Sequence, residues 1–149
     1  MAQSLADIVL HIVFSTKERK PWIDAVNEPE LHAYICGICR NLGPVIKING
    51  VEDHVHVLLS LSRTIAVSKL IAEIKSNSSR WIKTKDRQFF EFSWQGGYGA
   101  FSVSRPPING AIKYIEKQKE HHKTQTFREE YLTMLKMAQI QYDEKYLWD

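Results

Sequence analysis

The sequence contains no apolar run approaching the ~20 residues that a membrane-crossing helix needs. Its start shows no basic region followed by an apolar one, so the expectation is a cytoplasmic protein with no membrane association. Cysteine is scarce: two in 149 residues, too few for a disulfide scaffold. Both lie in Cys36-Gly37-Ile38-Cys39, yet no second Cys or His pair has zinc-knuckle spacing. A redox motif would place its first cysteine at a helix start, whereas these fall mid-helix, so both read as helix-core residues. An excess of one charge is also missing. The 20 basic and 17 acidic side chains leave a net +3, too little in bulk to argue for nucleic acid, so the placement of the basic residues matters more. Internal repeats and low-complexity tracts are absent. What remains, 44% hydrophobic and 25% charged, is the composition of one globular domain over residues 1–149 with a real core.

Within that domain one stretch organises the chain: Val51-Glu52-Asp53-His54-Val55-His56-Val57-Leu58-Leu59. Its β-branched and apolar content reads as a strand. Alternation sends His54 and His56 to one face, their Cα atoms about 7 Å apart, and Val55, Val57 and Leu59 to the other. Two imidazoles on a rigid strand can converge on one cation.

Residues 7–15 are apolar on both faces apart from His11 and read as a central strand covered on both sides. Asn27-Glu28-Pro29-Glu30 reads as a helix start with Asn27 as cap, and Leu31, Ile35, Ile38 and Leu42 mark one helix face that ends at Gly43-Pro44. A short strand follows over 45–48. Asn49-Gly50 is the strongest turn signal after it, with Glu52-Asp53 the alternative. After a strand over 54–61, Thr64 can cap a helix in which Val67, Leu70, Ile71, Ile74, Trp81 and Ile82 share a face. The segment Trp94-Gln95-Gly96-Gly97-Tyr98-Gly99 precedes a last strand over 100–104, and Arg105-Pro106-Pro107 breaks the chain. Asn109 caps a helix over 110–123, and a more weakly patterned helical tail starts at Phe127. This order predicts an α+β, ferredoxin-like (RRM-like) antiparallel sheet with two helices on one face. The other face is then open, with His54, His56 and a neighbouring His11 looking out from it.

On the late helix Tyr114 and Gln118 are four residues apart and share a face. Basic residues cluster at Lys17, Arg19 and Lys20, at Arg80 and Lys83, and at Arg105, Lys113 and Lys117, interleaved with aromatics as a single-strand binder needs. Competing uses of a His-x-His strand fit less well. A histidine-triad nucleotide hydrolase needs a third histidine where Leu58 stands, and a two-histidine phosphoesterase needs two His-x-Thr or His-x-Ser repeats. A non-catalytic nucleic-acid-binding module on this fold leaves Tyr114 with Gln118 unexplained.

Taken in order, His54-Val55-His56 after a hairpin, Trp94-Gln95-Gly96-Gly97-Tyr98 and Tyr114-x-x-x-Gln118 resemble the HUH single-tyrosine transposases of small bacterial insertion sequences, the IS200-like proteins and their REP-associated relatives. The resemblance runs from Asp7 to the C-terminus and includes Leu10-His11-Ile12-Val13-Phe14 followed by Ser15-Thr16-Lys17. It implies that the C-terminal helix is catalytic, with Tyr114 the nucleophile and His54, His56 and Gln118 ligands of Mg²⁺ or Mn²⁺. The implied activity is cutting and rejoining single-stranded DNA at hairpin ends through a 5′-phosphotyrosine. The basic residues above then form a DNA track. A domesticated relative that cuts repeat hairpins is the alternative. A homodimer with shared sites is also implied, and two features agree with it. The stiff proline connector would project the Tyr114 helix away from its own strand, and the last strand would be an uncovered sheet edge.

Overall fold

The computed structural model describes residues 2–149. Strand β1 (Val9–Ser15) is buried along its whole length, as its two apolar faces require. It pairs antiparallel with β3 (His54–Ser60) on one side and β4 (Gly99–Val103) on the other. Strand β2 (Val45–Val51) pairs antiparallel with β3, giving the sheet order β2-β3-β1-β4. Helices α1 (Glu28–Cys39) and α2 (Val67–Ile82) cover one face. There Leu10, Ile12, Phe14, Val55, Val57 and Leu59 of the sheet meet Leu31, Ile35, Leu70, Ile71 and Ile74 of the helices in one core. This is the ferredoxin-like arrangement expected from the element order.

The second face is not open. Helices α3 (Asn109–Glu116), α4 (Gln118–His121) and α5 (Phe127–Met137) lie on it. Ile115 packs with Val9 and Leu58, and Phe127, Tyr131 and Leu135 pack with Val13. Alternation explains why the cover is needed. Val9, Val13 and Leu58 leave the sheet on the same side as His11, His54 and His56, and burying each such aliphatic side chain is worth about 1.5–3 kcal/mol. A short helix α6 (Glu144–Leu147) follows, and Leu147 and Trp148 join the α5 cluster. Among the described residues no helix is long and apolar enough to cross a membrane.

Several local expectations change. The β-hairpin turns at Glu52-Asp53, and Asn49-Gly50 lies inside β2 opposite His56 and Val55. Its turn-forming residues do something else there. Asn49 Nδ2 donates to the carbonyl oxygens of Ile115 (3.0 Å) and Glu116 (3.1 Å), capping the end of α3. Gly50 admits the facing strand: a Cβ there would collide with the His54 carbonyl oxygen and lie 3.0 Å from Val55 Cα. Asn27 is not a side-chain cap. Asp24 accepts from the Asn27 backbone N–H at 2.8 Å, and α1 begins just after it. Thr64 does not cap α2, which starts at Val67 after an extended Ala66. The helix expected over 110–123 is broken at Lys117 (φ −92°, ψ 16°). Helix α3 does not project away but lies on its own sheet, while β4 is a sheet edge as expected. Cys36 and Cys39 are unpaired; Cys39 is buried in the core as expected, its thiol pushed up to about 12 by burial, whereas Cys36 is only partly buried.

Two glycine substitutions test the Asn49-Gly50 reading. Gly50→Ala should destabilise the fold by more than about 2 kcal/mol in urea unfolding, because the clash is with backbone that cannot yield. Gly110→Ala, whose Cβ meets nothing within 4 Å, should be neutral or stabilising.

Candidate active site

Four elements bring the site together. Strand β3 supplies His54 and His56, α3 supplies Tyr114, and α4 supplies Gln118. Helix α5 adds Glu130, which the sequence pattern did not single out. The two histidines and Gln118 are fully buried and Glu130 is 1% exposed, so the partly exposed histidines expected on an open sheet are instead sealed under the second helical layer.

Glu130 sits at the centre. Its Oε1 faces His56 Nε2 at 2.9 Å, His122 Nε2 at 3.0 Å and His54 Nε2 at 3.4 Å. Its Oε2 accepts from Gln118 Nε2 (3.1 Å) and from the Tyr114 hydroxyl. Gln118 turns its carbonyl oxygen to His122 Nε2 (3.1 Å) and His54 Nε2 (3.3 Å). Two outer hydrogen bonds orient the rings. His54 Nδ1 donates to Asp53 Oδ1 at 2.7 Å, and His122 Nδ1 donates to the Gln125 carbonyl at 2.7 Å. With those protons placed outward, the Nε2 atoms of His54 and His122 aim at the lone pairs of Gln118 and Glu130 oxygens. Lone pairs facing lone pairs need a cation between them, either a proton or a metal ion.

The donor set fits a metal. The ligand atoms of His54, His56, His122 and Glu130 all lie within 4.8 Å of one another. The 2.9–3.4 Å contacts among Nε2 and oxygen atoms match the spacing of about 3 Å between adjacent ligands of an octahedral ion bound at about 2.1 Å. Asp53 and Gln125 hold the far ring nitrogens as ligating histidines require. His11, whose role the sequence left open, holds the third. Its Nε2 lies 2.7 Å from His56 Nδ1.

The electrostatics follow the same contacts. Burial alone would lower the His54 imidazole, but the hydrogen bonds and charges of Asp53 and Glu130 outweigh it and hold it up at about 9. Burial wins at His56, pushed down to about 4, and at His11, pushed down to about 3 with the neighbouring His56 adding to it. Burial also opposes ionisation of Glu130, yet the hydrogen bonds from His122, His54 and His56 keep its carboxyl far below the usual range. The Tyr114 phenol is raised first by burial, then by its bond to Glu130 and that residue's charge. It therefore keeps its proton until something takes it.

The basic residues do not form one track. Lys113 and Lys117 are exposed on either side of Tyr114 in the chain, and Lys17 and Lys20 are exposed in the turn after β1. Arg19 is partly buried, 5.5 Å from the Trp148 ring. Arg105 is held by Asp7 through two 2.8 Å bonds. Arg80 and Lys83 are exposed at the end of α2, on the far side of the sheet from Tyr114. The glycine segment is held in place: Lys75 Nζ donates to the carbonyls of Gln95 (2.8 Å) and Gly97 (2.6 Å), and Gln95 Oε1 accepts from the Ser15 N–H (2.8 Å). The residues missed by the sequence reading had visible signals. His122 continues the four-residue spacing of Tyr114 and Gln118, and Glu130 interrupts the apolar stripe Phe127, Tyr131, Leu135.

Residues 4–118 match the family described as Transposase IS200 like. Among solved structures, a candidate transposase from Deinococcus radiodurans R1 superposes with a TM-score of 0.61 at 20% identity, covering 79% of this chain and 98% of that one. A REP-associated tyrosine transposase bound to a REP hairpin superposes with a TM-score of 0.59 at 14% identity, covering 82% of this chain and 74% of that one. At these identities the two structures share the fold. No curated protein sequence matches.

The raised His54 value has a measurable consequence. In metal-free protein its contribution to stability is fully present below pH 6.5, its ordinary value, and is lost as the pH rises through about 9. A divalent cation has to displace that proton. Its affinity should therefore rise by up to about tenfold per pH unit between pH 7 and 9, with close to one proton released per ion, in calorimetry run in two buffers. Glu130→Gln should lower the His54 titration in NMR and flatten this dependence.

Proposed function

Because the chain belongs to the IS200-like transposase family, we propose that it cuts and rejoins single-stranded DNA through a covalent bond between the Tyr114 oxygen and a 5′ phosphate. His54, His56 and Gln118 would hold Mg²⁺ or Mn²⁺, with His122 and Glu130 as further donors; the nitrogen-rich set favours Mn²⁺ chemically. The observation that carries the reading is the Tyr114 hydroxyl bonded directly to Glu130 within the cluster of metal-ligand donors. Such an ion, when bound, polarises a non-bridging phosphate oxygen and neutralises its charge.

The chain's own residues then have defined tasks. Tyr114 attacks phosphorus, the P–O3′ bond breaks, and the departing 3′ oxygen takes a proton from solvent water. The phenol is held protonated by its surroundings, so its proton must leave as the P–O bond forms, and Glu130 Oε2 is the acceptor already in contact. The phosphotyrosine conserves the energy of the broken bond, so rejoining to another 3′ hydroxyl needs no nucleotide cofactor. Lys113 and Lys117, exposed on either side of Tyr114 in the chain, would meet the flanking phosphates. The REP hairpin held by the second structural neighbour makes a hairpin-bearing strand the substrate to test. Paired subterminal hairpins around the gene would separate a mobile element from a domesticated nuclease.

A homodimer with Tyr114 completing the partner's site is the second reading, supported by the uncovered edge of β4. A site within one chain is the better supported of the two, since Tyr114 reaches Glu130 of its own chain and α3 is capped by its own Asn49. Mixing Tyr114→Phe with the His54→Ala/His56→Ala double variant decides. A site within one chain leaves the mixture inactive, whereas a shared site restores cleavage.

Labelled hairpin-bearing DNA with Mn²⁺ should yield a protein-linked band on a denaturing gel. Tyr114→Phe and excess EDTA should each abolish it, and an adduct surviving Tyr114→Phe would refute the nucleophile. Glu130→Gln, which preserves shape, should slow single-turnover cleavage by about 10²–10⁴-fold at saturating metal if it takes the proton.

A further inference from the structure

Beside Tyr114, on the side toward β4, an open groove of about 320 Å³ runs between α3 and α5. His11, Phe101, Tyr114, Met134, Met137 and Ala138 line it, and nothing in the transposase reading above uses it. Its lining is mostly apolar, and Met137 is 81% exposed at its edge. Tyr114 and Phe101 both lie edge-on to the His11 ring, at 6.0 and 6.4 Å between centroids. His11 bonds His56 through Nε2, while its Nδ1 has no hydrogen-bond partner among the described residues. The groove therefore offers two thioethers, aromatic rings and one unused ring nitrogen, all beside the nucleophile.

We infer that this groove is the subsite for the nucleobase of the nucleotide that becomes joined to Tyr114, a reading that rests on the proposed strand cleavage. Three observations select this occupant. The groove wall includes Tyr114 itself, so whatever Tyr114 attacks carries its nearest base within one nucleotide of the groove. In-line displacement places the departing 3′ oxygen opposite the attacking phenol, so the departing nucleoside lies beyond phosphorus. The retained nucleoside, joined through its 5′ oxygen, is the one that can fold back along the tyrosine. Finally, the lining suits a flat, polarisable ring: methionine thioethers adapt to either face of a base, and aromatic side chains accept any base by stacking. The lone His11 Nδ1 is the atom able to read a base edge. The groove would therefore prefer a base over none strongly, and one base over another through a single hydrogen bond.

The test needs neither the cleavage sequence nor cleavage itself. Met134 and Met137 are two of only three methionines, so methyl-¹³C-methionine labelling gives signals at the groove. The probes are dAMP, dTMP and deoxyribose 5-phosphate, each added to the whole protein up to about 10 mM, because a single stacked base supports only weak affinity. Both nucleotides should shift the Met134 and Met137 methyls through their ring currents, and the base-free sugar phosphate should not. Ala138→Phe, an exposed position at the end of α5, should fill the groove and abolish the shifts while leaving the other resonances in place. Equal shifts from the sugar phosphate, no shifts at all, or nucleotide shifts that survive Ala138→Phe would overturn the subsite. Methyl shifts that follow protein concentration rather than nucleotide would assign the groove to a second copy and overturn it too. Failure of the Tyr114 adduct alone leaves these shifts unaffected, so the two readings fail separately. With a strand that is cleaved, Ala138→Phe should reduce adduct formation at least about tenfold on an intact strand and little on one lacking the base 3′ to the cut.

Discussion

A carboxylate with almost no exposure sits between the sheet and its outer helices, and much of the second layer is arranged to keep it charged. An ion such as Glu130 is tolerated only when its lone pairs are met. Here three imidazoles, an amide N–H and a phenol meet them, drawn from β3, α3, α4 and the loop before α5. The same carboxylate ties α5 to the histidine strand, so the helix that closes the site is also one of its chemical parts. This coupling accounts for the burial of His54 and His56. Converging lone pairs attract a cation more strongly where water is excluded than they would on an open sheet.

The sheet and its first helical layer were legible because they obey simple periods. β1 and β3 alternate or run apolar as strands do, and α2 repeats its buried residues at helical spacing. His54, His56, Tyr114 and Gln118 were legible as two short constellations, and the fold brings them together. The covered second face was foreshadowed by β1, which is apolar on both sides, a pattern at odds with the open face inferred from element order alone. Glu130 and His122 were not read, for a physical reason. Each contributes through contacts made across elements. The four-residue spacing of His122 after Tyr114 and Gln118, and the charge of Glu130 beside an apolar stripe, are local hints that become meaningful only once α5 is folded onto β3. Asn49-Gly50 misled for the converse reason: its local turn propensity is real, but the pair is used for a helix cap and a close strand approach, which are tertiary demands.

The basic residues show where counting charges falls short. Helix α2 carries Arg80 and Lys83 on the opposite side of the sheet from Tyr114, and Asp7 occupies Arg105. Only Lys113 and Lys117 share a helix or its edge with Tyr114. The basic residues picked out by spacing are therefore spread over both sides of the sheet rather than gathered around Tyr114.

The cap on α3 also sets its mechanics. Asn49 grips the carbonyls of Ile115 and Glu116, so the helix is pinned at one end to β2. At 1.5 Å per residue, Tyr114 lies about 3 Å along the axis from Glu116 and Asn109 about 10 Å. The pin holds the C-terminal end of α3, and the proline connector joins the other end. A tilt started at the Asn109 end reaches the Tyr114 backbone reduced about threefold. Tyr114 thus lies near the pinned end of its helix, beside β2 and β3, the hairpin that also carries the histidines.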